Sequence, residues 1–336
     1  GVVAVVLVTC LRLVLVSADE LSIRVTSTSA ESHFPDGILF RVEANAPDEI
    51  ESITVRFTVP ERRTHRYEHL GLKPSKSVSS ELLMRTDTSA RYIPPGTRID
   101  YRFELKDSSG RVFITEPQSF VYTDVRYDWE EISRENVTVM YYGPVQRRAE
   151  AVLDASLETI ESMGPVLGVS GTRLLRLTMY NNWPTMSQAL PPTSRVVRNS
   201  LITEGAAFPE FGVILVLGDS SKVEGVSSHE VVHYLVHEAL GGAGALVPVW
   251  LNEGLAEYGN ADPGVSYDTY LAIAIARDQL MPLTSLNTMP GDPQAAVTVY
   301  GQGRSVVGYL IENYGVAKMQ SLLRDLGKGL NIDSVL

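Results

Sequence analysis

The stretch from Ser228 to Tyr258 constrains this chain more than any other. It reads Ser-His-Glu-Val-Val-His-Tyr-Leu-Val-His-Glu-Ala-Leu-Gly-Gly and then, after a short break, Pro-Val-Trp-Leu-Asn-Glu-Gly-Leu-Ala-Glu-Tyr. His229 and His233 are four positions apart, a spacing that stacks two side chains on one face of an α-helix, so both imidazoles can meet one cation. Glu230 lies one position round, beside the cation and free to handle a proton. Ser227 or Ser228 is expected to cap this helix, apolar residues recur through Leu240, and Gly241-Gly242 end it. A second helix should begin at Pro248 and close near Gly259.

Two imidazoles are too few for zinc, so the source of a third ligand decides the reading. The metzincin pattern would put Gly at 236 and His at 239, where this chain has Val236 and Ala239. The second helix instead offers Glu253 and Glu257, four apart on one face. One of these carboxylates can complete a His2Glu site while the other accepts the second N–H of a ligand histidine. Asn252-Glu253-Gly254-Leu255-Ala256-Glu257, with its Glu253 twenty positions after His233, resembles the N-E-x-x-x-[D/E] element of the gluzincin metallopeptidases, the group of thermolysin and the zinc aminopeptidases. Trp250 to Tyr258, with Tyr300-Gly-Gln-Gly-Arg-Ser-Val-Val-Gly-Tyr-Leu further on, looks like the secreted bacterial peptidase MA-like proteins. The resemblance is detailed over 228–258, looser to about 326, and carries nothing specific before about 125. It implies one Zn²⁺ per chain held by His229, His233 and Glu253. It also implies Glu230 as general base, with Glu257 and Asn252 behind the ligands.

Net charge of −11 disfavours a nucleic-acid partner or an anionic membrane surface. The acidic excess lies mainly after residue 124. Residues 1–18 are apolar except for Arg12, and Val16-Ser17-Ala18 before Asp19 fits a signal-peptidase site. A secretory leader is expected there, or an uncleaved anchor. Cys10 is the sole cysteine and lies inside that run, so a trimmed chain is stabilised by burial alone.

Length allows two domains. Residues 19–124 alternate apolar and polar residues in six runs: 21–26, 38–44, 50–59, 78–85, 98–106 and 111–122. Turn clusters such as Pro35-Asp36-Gly37 and Pro94-Pro95-Gly96 separate them. This predicts an all-β immunoglobulin- or fibronectin-like sandwich with a structural role or a targeting role toward a cell-surface or envelope partner. Residues 125–336 are expected to form an α+β gluzincin-type catalytic domain, a small sheet plus a helical half, with 124–135 as the joint. The strands expected there are 137–142, 174–180 and 211–217. The helices are 145–163, 267–278, 295–314 and 317–326, besides the two of the metal site.

Chemistry follows from the ligand set. Two neutral imidazoles and one carboxylate leave a zinc site with net charge +1 and a fourth position for water, whose proton Glu230 would accept. The oxyanion then needs a donor, and all three histidines of the second half fall on one helix. Tyr300 matches the tyrosine that performs this role in related families. Gly205-Ala206-Ala207 resembles in position the edge strand that gluzincins pair with substrate. Glu204-Gly205-Ala206-Ala207 has the wrong order for an aminopeptidase signature, so internal cleavage of a peptide or protein substrate is expected. His237 is read as packed rather than ligating, Glu238 as solvated, Trp250 as packed between the two helices, and Arg195 and Arg198 as loop surface. The alternatives are a catalytically silent binding protein on this fold and a zinc hydrolase of a non-peptide bond.

Overall fold

The computed structural model describes residues 22–62, 64–192, 204–242, 247–263, 267–290 and 292–336. The leader at 1–18 and the loop arginines Arg195 and Arg198 lie outside the described residues.

Alternating residues build a first sheet of seven strands: β1 (Arg24–His33), β2 (Gly37–Val59), β3 (Thr64–Leu70), β4 (Ser75–Arg85), β5 (Arg98–Asp107), β6 (Val112–Ile114) and β7 (Gln118–Val121). β2 organises them. Its first half pairs with β1 and β4, its second half with β3 and β5. The pairing register slips between Asn45 and Ile50, where Pro47 has no N–H to give the ladder. Phe40 and Phe57 are seventeen residues apart on this strand. A straight strand would separate them by about 56 Å, yet their ring centroids lie 6.1 Å apart. The strand therefore folds over on itself, and Ile38, Phe40 and Val42 share a core with Ile53, Val55 and Phe57. An immunoglobulin-like sandwich has two separate sheets; here both layers belong to one continuous sheet, bent where the sequence suggested a turn.

The second sheet has the order β11-β12-β10-β9-β8, with β8 (Glu130–Arg134), β9 (Val137–Tyr141), β10 (Leu175–Tyr180), β11 (Gly205–Phe208) and β12 (Val213–Leu217). The three inner strands are parallel and both edges antiparallel. α1 (Gln146–Leu167) makes the crossover that parallel β9 and β10 require. Every residue of β12 is buried, the mark of a strand covered on both faces. Ile214 and Val216 enter the core beneath the helices, while Val213, Leu215 and Leu217 enter the core of the first sheet. Strands from both sides of residue 124 therefore share one core. The β2–β3 hairpin adds a clamp: Arg173 donates to the Glu61 carbonyl at 3.0 Å. Gly212 (φ +65°) leaves room for Glu61, whose Cγ would lie 2.9 Å from a Cβ there.

The remaining helices are α2 (Trp183–Ala189), α3 (Val223–Ala239), α4 (Val249–Tyr258), α5 (Tyr267–Ala276), α6 (Pro293–Tyr314), α7 (Val316–Gly327) and α8 (Ile332–Val335). α3 starts earlier than the serines suggest. Its N-cap is Lys222, and Ser227 and Ser228 are buried inside it, donating to the carbonyls of Val223 (2.6 Å) and Gly225 (2.9 Å). Gly225 allows that early start, because a Cβ there would come 2.5 Å from the Asp262 carbonyl oxygen. α4 and α6 touch backbone to backbone. A Cβ at Gly254 would lie 2.5 Å from the Gly303 carbonyl oxygen, and one at Gly303 would lie 2.5 Å from that of Trp250. No helix among the described residues is long and apolar enough to cross a membrane.

Candidate active site and metal centre

α3 presents His229 and His233 one turn apart, and α4 brings Glu253 across to them. The two Nε2 atoms lie 3.0 Å apart, and one Glu253 oxygen lies 3.3 Å from the first and 3.4 Å from the second. A tetrahedral zinc with bonds near 2.0–2.1 Å spaces its ligand atoms by about 3.3 Å, so this triangle fits one face of such a site. Among the described residues this is the group of His, Cys, Asp and Glu that could hold a metal ion. The donor set, two imidazoles and a carboxylate, suits zinc.

The candidate ligands are held from behind. His229 Nδ1 meets Glu257 Oε1 at 2.9 Å, which fixes Nε2 as the atom facing the cation position. The other Glu257 oxygen accepts from Asn260 Nδ2 at 3.3 Å. Asn260 Oδ1 accepts from the Asp262 backbone at 3.0 Å, and Ser228 Oγ from the Ala261 backbone at 2.8 Å. The loop after α4 is thereby tied to α3 at Ser228, the residue before His229. Tyr267, at the head of α5, sets its phenol against Glu257. Asn252 is half-buried on α4, and no hydrogen bond ties its side chain to either imidazole.

The electrostatics of the cluster are those of a site for positive charge. Burial would discharge His229, yet its contacts with Glu253 and Glu257 outweigh this and hold it up to about 10. Burial likewise works to raise Glu253, but the two imidazoles hold it down to about 2. The residues therefore favour a positive charge at the point where the rings and the carboxylate converge, as a proton or as a cation. His233 Nδ1 is buried without a partner.

Glu230 lies beside the triangle and reaches the second sheet. Its side chain packs on β11, where a Cβ at Gly205 would come 2.6 Å from Glu230 Cγ, and it receives the Ala207 backbone N–H. Burial raises its pKa, opposed by the charges of His233 and His229. β11 pairs on one side with β12, Gly205 opposite Val216 and Ala207 opposite Ile214, and among the described residues no strand pairs with its other edge. Tyr300, on α6, sets its ring 6.1 Å from that of His229 and 5.6 Å from that of Tyr267. Burial and the nearby Glu253 raise its pKa, keeping the phenol protonated and able to donate.

The structure thus gathers His229, Glu230, His233, Glu253, Glu257, Tyr300 and Gly205–Ala207 into one place. His237 continues the helix stripe but lies outside the ligand group. Trp250 is buried in the core. Glu238 departs from expectation: it is half-buried, with one oxygen enclosed and unpartnered rather than solvated. Asn260, Ser228 and Tyr267 were missed. The only local signal was an aromatic residue opening a predicted helix.

A family model described as the Peptidase MA superfamily matches residues 143–336. The chain belongs to that superfamily. A comparison with curated proteins found no match. Among solved structures, an M1 zinc metallopeptidase from Deinococcus radiodurans is similar at 11% identity and a TM-score of 0.39, over 87% of this chain and 82% of that one. A two-domain mutant M1 zinc metallopeptidase bound to L-arginine is similar at 11% identity and a TM-score of 0.41, over 93% and 88%.

Proposed function

We propose that this protein is a secreted zinc metallopeptidase that hydrolyses internal peptide bonds. The observation that carries the reading is the triangle of two Nε2 atoms and one Glu253 oxygen, with the half-buried Glu230 carboxylate beside it, packed on β11. His229, His233 and Glu253 would hold the ion. When bound, zinc supplies Lewis acidity, polarising a carbonyl and bringing the pKa of water to about 7.

The protein's own residues do the rest. An extended substrate adds its backbone to the other edge of β11, which sets the scissile carbonyl beside Glu230. Glu230 takes a proton from the attacking water as the new C–O bond forms. It then delivers that proton to the amide nitrogen as the C–N bond breaks, so the leaving group departs as a neutral amine. Tyr300 donates to the oxyanion, and Glu257 keeps the His229 ring from turning. Internal cleavage is favoured because the residues around β11 lack the aminopeptidase ordering. Export is favoured by the apolar run at 1–18, and the N-terminal strands serve as a structural or targeting platform.

The test pairs peptides of one sequence, with free and with acetylated amino termini, against wild type and Glu230→Gln. The expected result is cleavage of both peptides by wild type, unchanged zinc content in the variant, and lost turnover. Cleavage confined to free amino termini would make it an exopeptidase, and equal turnover by the variant would remove Glu230 as base. Amino-terminal sequencing of the exported protein tests the leader.

A further inference from the structure

α5 is built like an interior helix and placed like a surface one. Apart from Asp268 and Thr269 it is apolar around its circumference, a pattern that belongs to buried helices. Yet Ala274 is its sole buried residue. Tyr270 and Ile273 are each 41% exposed, Ile275 57%, and Leu280 just beyond it 47%. It is anchored on α6: Leu271 and the Tyr267 carbonyl rest on Gly301, and Asp268 meets Arg304 at 3.4 Å. A patch of this kind on a polar chain marks a surface that another apolar surface covers.

Its position says which. The helix begins inside the candidate site, where Tyr267 touches Tyr300 and Glu257, and runs outward for about 15 Å, the span of four or five residues of extended chain. A lipid surface fits poorly. Helices that lie on membranes carry Lys and Arg along a polar face, whereas α5 offers Asp268, is followed by Arg277-Asp278, and belongs to a chain of net charge −11. Resting on the peptidase reading, we propose that α5 is a docking surface for an apolar stretch of the substrate polypeptide, engaged about four to five residues from the scissile bond. The preferred substrates are then proteins presenting an extended apolar run, such as unfolded chains, and short peptides forgo the contact.

The test uses fluorogenic peptides identical around the cleaved bond, carrying a Leu/Phe or a Ser/Gln tract four to six residues away on either side. The full-length wild type should cut the apolar-tract peptide about tenfold more efficiently, through KM. Ile273→Ser/Ile275→Ser should cut both alike with unchanged zinc and Tm, and Ile273→Leu/Ile275→Leu should keep the preference. Wild type showing no preference, or the serine variant retaining it, overturns the proposal. So does a dimer, or vesicle binding, that the serine variant abolishes. Anisotropy of the labelled peptides with Glu230→Gln repeats the comparison without turnover. If no peptide is cut but apolar tracts still bind through Ile273 and Ile275, the peptidase reading fails and the docking surface stands.

Discussion

Asp124 and Glu253 are both enclosed carboxylates, and the protein treats them in opposite ways. Asp124 is fully buried, yet it meets Arg126 through both oxygens at 2.8 and 2.6 Å and the Tyr180 hydroxyl at 3.2 Å. Its charge is neutralised by a permanent cation from two residues away. Glu253 meets two imidazoles, which carry charge only if protonated. The first arrangement is complete as it stands; the second is complete only with an added positive charge. A buried acid bound to arginine marks architecture, and one bound to converging histidines marks a place for an ion.

The contrast can be broken most severely at Glu230. Glu230→Gln should lower kcat by about 10²–10⁴-fold with zinc retained by metal analysis, whereas His229→Ala should lose the metal itself. Asp124→Ala should do the reverse: zinc binding intact, and stability lower by about 2 kcal/mol in urea titration. That figure is discounted because Arg126 is a third exposed. Glu257→Gln should weaken zinc affinity about 10–100-fold in chelator competition while leaving the apo protein's Tm nearly unchanged. Chelation of wild type should lower Tm and that of His229→Ala should not, since only a chain that binds the ion gains from it.

The smallest effect concerns Glu61 at the hairpin clamp. Burial raises its pKa, partly offset by its own backbone N–H and by Arg173, and one of its oxygens is enclosed without a partner. The unfolded carboxyl titrates near 4.3, so above that value the folded chain holds the proton longer and stability falls as pH rises toward the folded pKa. Below about 4.3 both states are protonated and the penalty disappears. Glu61→Gln should therefore raise Tm by about 1–3 °C near pH 7.5 and leave it unchanged near pH 3.5. An equal rise at both would show that the gain is not electrostatic.

Much of the ligand set was legible because it is periodic. His229 and His233 obey helical spacing, and Glu253 and Glu257 repeat it on the next helix. The partners Asn260 and Ser228 were not legible, since they meet only when the loop past Gly259 folds back on α3. β3 was missed for a different reason: Thr-His-Arg-Tyr-Glu-His-Leu is polar on both faces, as an edge strand tolerates, and shows no apolar alternation. β8, Glu-Glu-Ile-Ser-Arg, carries a single apolar residue, and α2 is two turns long, so neither showed a pattern. The bent β2 was read as two strands because Ala46-Pro47-Asp48 signals a turn, while the chain uses it to bend a ladder without breaking the sheet.

The bare contact between Gly254 and Gly303 has a further consequence. Glu253 is the immediate neighbour of one of these glycines, and Tyr300 sits one helical turn before the other. The gap between the Glu253 carboxylate and the Tyr300 phenol is thus governed by a joint with no spacer in it. Adding a single methyl at Gly303 would act as a shim, pushing the Tyr300 phenol and the Glu253 carboxylate apart while both stay chemically intact.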